Sequence, residues 1–470
     1  MPLARGGMQF WEESLGSPRF VVAPMVDASE LAWRLLSRRH GAQLCYTPML
    51  HSSVFARDPK YRKEALASCV EDRPLIVQFC ASDAPTLLEA ALLAEPYCDA
   101  IDINLGCPQA IARRGHYGAF LQDDWPLLRE MVSTLRWALS VPVTCKIRVF
   151  EDIGRTVEYA CMLEAAGCQM LTVHGRTREQ KGPLTGLANW DYIRAVRENV
   201  KIPVIANGNI QCLQDVLRCM DETGCQGVMS AEGNLYNPSI FQGLNPPAWE
   251  IALEYLTLAE KYPCPISYVR GHLFKLFHHC LCLSNNFDLR AELATGSDLP
   301  EFQRTVLQLR ERYLPFHEGE KLWEGSSGYN LELPPWICQP YVRIAPEEHL
   351  KKMVQIQNRN ADISQYEEEV GLDGSVIKRL RTDCEESKNM SKRRMKKLRK
   401  LKHKPNKVFH ARQRVEKCVD CPNPLGSKCE NRLCRLCCKA FCYAEDRDCP
   451  GHRIHIKSHR EKARQQAACL

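Results

Sequence analysis

The feature that most constrains the fold is a regular alternation of short apolar runs with longer segments of helical spacing. Eight runs rich in β-branched and apolar residues have the length and composition of buried strands: Phe20–Met25, Leu44–Met49, Leu75–Cys80, Ala100–Leu105, Val141–Val149, Met170–His174, Ile202–Ala206 and Gln226–Ser230. Helical spacing lies between them, in 28–39, 84–95, 126–139, 155–166 and 213–222. Such alternation implies parallel βαβ units, and eight of them predict an α/β fold of the TIM (β/α)8 barrel type. A doubly wound open sheet is the alternative, but no G-x-G-x-x-G loop follows the first run.

Polar residues lie where the predicted strands end. In a TIM barrel the active site is built at the carboxyl ends of the strands, and six of the eight runs end in residues that can bind a ligand: Gln78, Asn104, Cys107, Lys146, Arg148, His174, Arg176, Asn207, Asn209, Ser230 and Glu232. Any one of these side chains is equally compatible with a hydrogen bond in the core. Their common position favours a single site.

Cys107 stands in the pentapeptide Asn104-Leu105-Gly106-Cys107-Pro108, directly after the fourth predicted strand. Gly106 permits a sharp turn, and Pro108 fixes φ and removes a backbone donor. The thiol is therefore expected on a stiff corner. A free cysteine is often only a small buried hydrophobe, so the surrounding residues must decide between packing and chemistry.

The loops after the last two predicted strands contain Gly208 and Gly233. In TIM barrels these two loops commonly bind phosphate through backbone N–H groups, so a phosphorylated cofactor is expected. Lys146 suits the N1 and O2 edge of a flavin, where a cation stabilises the reduced ring. Gln78 offers the donor and the acceptor that the pyrimidine edge of that ring requires.

Five motifs, in this order, resemble the flavin-dependent tRNA-dihydrouridine synthases. They are Ala23-Pro24-Met25, Asn104-Leu105-Gly106-Cys107-Pro108, Lys146-Ile147-Arg148, His174-Gly175-Arg176-Thr177 and Asn207-Gly208-Asn209-Ile210. The run 230–234, Ser-Ala-Glu-Gly-Asn, and the long cysteine-bearing tail resemble the eukaryotic class that acts on D-loop uridines 16 and 17. The resemblance covers roughly residues 18–345. It implies FMN as cofactor, NADPH as reductant and a C-terminal helical domain that binds tRNA.

The resemblance also assigns roles to residues. Cys107 is the expected proton donor, because a thiol with an ordinary pKa near ~8.5 is mostly protonated at neutral pH. The residues expected to hold the substrate are Asn104, Arg148 and Arg176. Those expected to bind cofactor are Pro24, Met25, Val26, Gln78, Lys146, His174, Asn207, Gly208, Asn209, Ala231 and Glu232. One position departs from the pattern: many relatives have Gly-Arg after strand eight, and that arginine meets the FMN phosphate, whereas Ala231-Glu232 stands here. Backbone amides are expected to hold the phosphate instead.

A strongly basic segment lies near the C-terminus. The chain carries a formal charge of +7, yet residues 391–417 contain thirteen Lys or Arg and one acid, Glu416, for a net +12. The rest of the chain therefore sums to −5. A solvated tail, a nuclear-import signal and an RNA clamp are all compatible with such a segment. Its charge favours a polyanionic partner.

Most of the cysteines that follow are spaced like metal ligands. The chain has 25 cysteines, but we find no signal-peptide core and no membrane-spanning stretch, so we expect an intracellular protein of the cytoplasm, the nucleus or both, without membrane association. Paired CxxC motifs then predict zinc rather than disulfides, and the spacing is similar to the zinc module of plant SHI-type regulators. Nine candidates suggest two four-ligand sites and one spare, for which we select Cys438 because Cys437 already completes a CxxC. The predicted ligands are Cys418, Cys421, Cys429, Cys434, Cys437, Cys442, Cys449 and His452.

The predicted order of domains is an N-terminal extension (1–17), an FMN-binding TIM barrel (18–248), a helical tRNA-binding domain (249–345), a polar linker (346–390), the basic segment (391–417), a Cys-rich zinc module (418–455) and a tail (456–470). The expected function is NADPH-dependent reduction of D-loop uridines in tRNA by a monomeric flavoenzyme. Two alternatives stay open: a zinc-bearing RNA-binding protein whose barrel is catalytically silent, and an FMN barrel that reduces a free pyrimidine. The basic, Cys-rich tail disfavours the second.

Overall fold

The computed structural model describes residues 6–326, 329–343, 346–351, 418–421, 425, 429–452, 454–458 and 460–461, and the backbone of 366–370 and 376–380. The chain divides into two compact units, 1–359 and 360–470. The predicted basic segment 391–417 lies outside the described residues. The domain boundaries predicted within each unit stay predictions.

The first unit contains a closed parallel barrel. Its strands are β1 (Phe20–Val22), β2 (Leu44–Tyr46), β3 (Leu50–His51), β4 (Leu75–Cys80), β5 (Ala100–Leu105), β6 (Val143–Arg148), β7 (Met170–His174), β8 (Val204–Asn207) and β9 (Gly227–Ser230). They pair in the order β2-β1-β9-β8-β7-β6-β5-β4-β3, and an additional pairing of β2 with β4 closes the ring. The two-residue strand β3 pairs with β4 beyond β2. Eight strands therefore complete the barrel, which confirms the predicted fold and excludes the open sheet.

Prolines explain where the strands differ from the predicted bounds. The strands β4, β5 and β7 have the predicted bounds. A proline cannot donate to the hydrogen-bond ladder, and Pro24 and Pro48 follow strands that end early, at Val22 and Tyr46. Likewise β6 and β8 begin after Pro142 and Pro203, two residues later than predicted.

Helices connect the barrel strands. Their bounds are Leu31–Arg39, Ser52–Arg57, Pro59–Ala65, Ala84–Ala94, Ala110–Gly115, Trp125–Ala138, Ile153–Ala165, Trp190–Asn199, Leu213–Thr223 and Glu232–Tyr236. Side-chain caps fix several starts: Asp83, Asp124 and Asp152 each accept a hydrogen bond from the backbone N–H three residues later. Such caps satisfy donors that a helix leaves unpaired.

The N-terminal segment closes the bottom of the barrel. A short helix, Gly7–Gln9, runs into a π-helical turn, Phe10–Ser14. Phe10 and Trp11 are buried in a core cluster with residues from the first halves of the strands, such as Leu44 and Ile76. This cluster fills the amino-terminal end of the barrel, so among the described residues the polar side chains of a ligand site are to be sought at the opposite mouth.

A helical region packs onto the first barrel helix. Its members are Ala248–Lys261, Ile266–Leu276, His278–Leu281, Phe287–Thr295 and Leu299–His317. The segment 329–343, here called the strap, follows and buries Trp336 and Cys338 in the same core as Trp33 of the barrel. At this junction Glu30 accepts a hydrogen bond from the Tyr255 hydroxyl at 2.7 Å. The helices, the strap and the barrel therefore share one core.

The described residues of the second unit form an antiparallel strand pair and part of a Cys-rich module. An antiparallel pair, Tyr366–Val370 with Val376–Leu380, lies inside segment 346–390, which the sequence predicts to be a polar linker. The Cys-rich module contains a helix, Arg435–Ala444, and a pair of two-residue strands, Asp448–Cys449 and Ile454–His455. Among the described residues, no helix has both the length and the apolar character needed to cross a membrane.

Candidate active site

The register of the barrel brings the predicted residues to one mouth. In parallel strands, residues paired across neighbouring strands point to the same side. The paired positions near the strand ends are Gln78 with Asp102, Asn104 with Lys146, Arg148 with His174, and His174 with Asn207. These side chains come from five adjacent strands and form a continuous polar wall inside the barrel.

A chain of hydrogen bonds runs through this wall to Cys107. Gln78 donates from Nε2 to Asp102 Oδ2 at 2.8 Å, and its Oε1 accepts from Asn104 Nδ2 at 2.8 Å. The side-chain oxygen of Asn104, Oδ1, accepts a hydrogen bond from the backbone N–H of Cys107 at 2.9 Å. An ionised carboxylate can only accept, so Asp102 fixes the orientation of the Gln78 amide and, through it, that of Asn104. The polarity of the whole chain therefore starts at Asp102.

Asp102 was not among the residues selected from the sequence. It is fully buried and also accepts from the Thr144 hydroxyl at 2.6 Å. Burial raises the pKa of Asp102 to about 6, although the hydrogen bonds from Thr144 and Gln78 and the charge of Lys146 act the other way. The signal in the sequence was an acid in the middle of an apolar strand, where a charge needs a partner. Attention to the last residue of each strand missed it.

The Cys107 corner is held on both sides. The backbone oxygen of Cys107 accepts from Ala119 N–H at 3.1 Å. Gly118 has a φ of +66°, and a Cβ there would lie 2.8 Å from the Cys107 oxygen and 2.9 Å from its Cβ. Only glycine fits this contact. The thiol itself is partly exposed, so it is presented on a rigid backbone, as the sequence predicts.

Lys146 lies on β6, two strands along the ring from Gln78 on β4. Its ammonium donates to Asn207 Oδ1 at 2.8 Å. Burial and the charge of Arg148 lower the pKa of Lys146 to about 8, while Asp102 and Cys107 oppose that shift. Below that pH the site therefore holds a cation in a desolvated position.

Arg176 supplies a second cation, beside the imidazole of His174. Arg176 donates to Nε2 of His174 at 3.0 Å, and it also contacts the side chain of Asn209. Burial and the charges of Lys146, Arg148 and Arg176 hold the pKa of His174 well below its usual value. The imidazole is therefore neutral, and since arginine can only donate, Nε2 is its acceptor nitrogen.

Arg148 joins two loops. Its Nε donates to Gly106 O at 2.9 Å, and its Nη1 donates to Thr177 O and Gln180 O at 2.6 and 2.9 Å. Burial and the neighbouring Arg176 lower the pKa of Arg148 to about 10. The contacts tie the Cys107 corner to the loop after β7. A direct contact of Arg148 with substrate stays a prediction, as it does for Asn104 and Arg176.

The loops after β1 and β9 contain the remaining residues that the sequence predicts to bind the cofactor. After β1, Met25 N–H donates to the Ser29 hydroxyl at 3.0 Å, and Val26 is exposed. After β9, Glu232 pairs with Arg343 of the strap, whose Nε lies 3.0 Å from Glu232 Oε2. Arg343 was also missed from the sequence, because only the folded path of the strap brings it here.

Comparison of the sequence with known proteins identifies the family of this chain. The family model described as dihydrouridine synthase matches residues 21–312. The chain belongs to the dihydrouridine synthase family. A mouse relative, whose name is tRNA-dihydrouridine(16/17) synthase-like and specifies NAD(P)(+), is 53% identical over 465 residues, which is 97% of this chain and 92% of that one. The Schizosaccharomyces pombe tRNA-dihydrouridine(16/17) synthase is 43% identical and covers 72% of this chain and 90% of its own. A human tRNA-dihydrouridine(20a/20b) synthase-like protein is 39% identical but covers 54% of this chain and 80% of its own.

This member of the family also carries two groups of possible metal ligands in its Cys-rich module. The first is Cys418, Cys421, Cys434 and Cys437, and the second is Cys429, Cys438, Cys449 and His452, with all ligand atoms of a group within 4.8 Å of one another. Sulfur atoms within the groups lie 3.5 Å apart for Cys421 and Cys437, and 3.6 Å apart for Cys429 and Cys438. Tetrahedral zinc with ligands at 2.3 Å separates two sulfurs by about 3.8 Å. The groups therefore have the size of zinc sites, and the distances are too long for disulfides.

The structure groups the cysteines differently from the selection that the sequence suggests. Cys438, which we set aside, belongs to the second group, whereas Cys442 lies outside both. Neighbouring residues on a helix point in different directions, so Cys437 serves one group and Cys438 the other. Cys442 lies one turn further along, with its sulfur 3.9 Å from that of Cys438. The selection of Cys438 as the spare cysteine did not take into account that one helix can supply ligands to two sites.

Proposed function

We propose that this protein is a flavin-dependent synthase that reduces the C5–C6 bond of uridines 16 and 17 in the D-loop of tRNA. One observation carries the proposal: the relative named for positions 16/17 matches 97% of the chain, whereas the relative named for 20a/20b matches 54%. The substrate is therefore tRNA, and NADPH is the proposed reductant, in line with the NAD(P)(+) in the relatives' names.

The residues at the mouth fit FMN. Lys146 offers a cation and Gln78 an amide, as the N1–O2 edge and the pyrimidine edge of the ring require. At Gly208, whose φ is +117°, a Cβ would lie 2.6 Å from Ala188 Cβ and 3.1 Å from His174 Cδ2. The backbone of this loop therefore lies directly against the His174 ring, next to the guanidinium of Arg176. When bound, the flavin supplies the hydride that adds to C6 of uracil.

Cys107 supplies the proton that adds to C5. The protonated thiol is the acid, and it becomes a thiolate as the C5–H bond forms. The bonds at Cys107 N–H and Cys107 O fix the backbone that carries the sulfur. Because the side chain is partly exposed, water can return the proton after each turnover. The uridine must leave its stack to reach this point, at a cost of about a few kcal/mol that is smallest for a loop nucleotide.

Zinc is the proposed occupant of the two cysteine groups. Thiolate and imidazole ligands favour zinc, and a site with four protein ligands is structural. Asn431 Nδ2 lies 3.6 Å from Cys438 Sγ, so it can support one ligand from outside the tetrahedron. The module follows the basic segment, so we propose that both parts contribute to tRNA binding. We also propose that the protein is a monomer of the cytoplasm, the nucleus or both, as expected from the sequence.

The proposal is tested with purified full-length protein, FMN, NADPH and an unmodified tRNA transcript. NADPH should bleach the bound flavin without oxygen, tRNA should restore its colour, and dihydrouridine should appear at positions 16 and 17. A protein that bound tRNA but no flavin would support the catalytically silent barrel. Reoxidation by free uracil or orotate, with none by tRNA, would support the enzyme of free pyrimidines.

A further inference from the structure

We propose that Arg343 binds the phosphate of the flavin nucleotide and that Glu232 competes with the phosphate for it. The inference rests on the proposed function, since it concerns the same cofactor. It addresses the loop after β9, where the arginine found in many relatives is replaced by Ala231-Glu232. The strap brings a guanidinium to this loop from a distant part of the chain.

The strap is anchored beside the loops that follow β8 and β9. Gln211 Nε2, after β8, donates to Tyr341 O at 3.2 Å. The Tyr341 ring stacks on Tyr236, after β9, with centroids 5.4 Å apart and an interplanar angle of 18°. His279 Nε2 lies 3.1 Å from Pro340 O, which ties the strap to the helical region as well. The path of the strap up to Arg343 is therefore fixed at three points.

Arg343 reaches the loop after β9, one of the two loops where a phosphate is expected. Its guanidinium pairs with Glu232, and the two side chains are 44% and 36% exposed. Arg343 and Glu232 both act on Arg176, whose pKa burial and the Arg343 charge lower to about 10. Arg176 contacts Asn209, after β8. Two guanidinium groups and one carboxylate thus lie at the loops after β7, β8 and β9 and act on one another.

The pair is suited to exchange. An exposed ion pair contributes little to stability, whereas arginine binds phosphate with two parallel hydrogen bonds. Glu232 is exposed enough to turn into solvent when Arg343 takes a phosphate. Glu232 therefore holds Arg343 in place but weakens phosphate binding.

The test compares FMN with riboflavin, which has the same ring system and no phosphate. Apoprotein of the full chain is titrated with each flavin, and quenching of flavin fluorescence gives the two Kd values. Arg343→Gln should raise the Kd for FMN about tenfold or more, the scale of one lost charged hydrogen bond, and should leave the Kd for riboflavin unchanged. Glu232→Gln should lower the Kd for FMN and also spare riboflavin.

A matched control is Arg312→Gln, which breaks a similar pair, Arg312 with Asp288 at 2.7 Å, in the helical region. It should change neither Kd. Two results in Arg343→Gln would overturn the inference. One is equal weakening of FMN and riboflavin binding, since the arginine would then act on the strap alone. The other is an unchanged Kd for FMN. Wild-type protein that binds neither flavin would instead refute the proposed function itself.

Discussion

Asp102 orients two amides and, through them, the backbone of the thiol that is proposed to protonate the substrate. Asparagine at this position has nearly the same shape but carries an N–H2 group that would face the donors of Gln78 or Thr144. The hydrogen-bond chain from residue 102 to Cys107 then either contains two donors that face each other, or the amides of Gln78 and Asn104 both turn over. In the second case Cys107 N–H loses its acceptor.

Asp102→Asn should therefore bind FMN but form dihydrouridine more slowly, by roughly 10²-fold if the thiol shifts by about 1 Å. Stability should respond to pH as well. The pKa of Asp102 in the folded protein, about 6, is above its unfolded value of about 3.9, so its contribution is present below pH 4 and is lost as the pH rises through 6. The wild type should lose this part of its thermal stability between about pH 4 and 6, and the variant should not. Equal rates in both proteins would refute the orienting role.

Lys146→Ala should release FMN or slow the reduction of the flavin by NADPH, because the variant lacks the cation beside the ring. In the wild type, the affinity for FMN should fall as the pH rises past about 8, where the lowered pKa of Lys146 makes the amine neutral. That pH dependence should be absent from the variant. Lys275→Ala, in the helical region, is the control. Normal flavin occupancy and reduction in Lys146→Ala would remove Lys146 from the cofactor site.

Among single residues, the sequence predicts those that end a strand. Once the barrel is assigned, Gln78, Lys146 and His174 must lie at one mouth, and they do. Asp102 lies in the middle of its strand and not at its end. At such a position the sequence does not distinguish a polar residue that is only structural from one that serves the site. Arg343 is separated from Glu232 by more than a hundred residues. No local pattern encodes that contact, because it depends on how the strap packs.

For helices and strands as well, local sequence patterns predict one part of the structure, and the other part depends on packing. The strands and helices were predictable from periodicity, and the errors of two or three residues in strand bounds arise at prolines, whose missing N–H ends the ladder. In the Cys-rich module, the ligand types were predictable, but their grouping depends on which way a helix faces. Cys437 and Cys438 lie on one helix and serve different groups.

The grouping predicts how much zinc each variant holds. Cys438→Ala removes a ligand of the second group and should reduce the zinc content from about two ions per chain toward one. Cys442→Ala should keep both ions, since Cys442 belongs to neither group. The metal content of the purified proteins decides the matter. Loss of zinc in Cys442→Ala, with full occupancy in Cys438→Ala, would restore the original assignment.

At the scale of the whole molecule, the site lies in the unit 1–359, and the basic segment 391–417 comes later in the sequence. Truncation after Met390 removes the net +12 of residues 391–417 and the +4 of residues 418–470, a total of +16. The barrel mouth stays intact, so FMN content and bleaching by NADPH should survive. The affinity for tRNA should drop, and each lost phosphate contact should lower the slope of log K against log salt by roughly 0.7 to 0.9.

A chelator applied to the full-length protein should reproduce only part of that loss, because it unfolds the zinc module and leaves the basic residues attached. If truncation changed neither the affinity nor the salt slope, tRNA recognition would rest on the barrel and the helical region. The tail would then serve localisation or another partner.

The most direct test of the central claim is a single turnover of reduced Cys107→Ala with tRNA in the absence of oxygen. FMN binding and the reduction of the flavin by NADPH should stay near wild-type values, because neither step needs the acid. Flavin reoxidation by tRNA and the formation of dihydrouridine should slow by roughly 10²–10⁴-fold, the scale of a lost general acid. Cys161→Ala, a partly exposed cysteine on an outer barrel helix, should react like the wild type. Reoxidation of Cys107→Ala by tRNA at the wild-type rate would contradict the assignment of Cys107 as the proton donor.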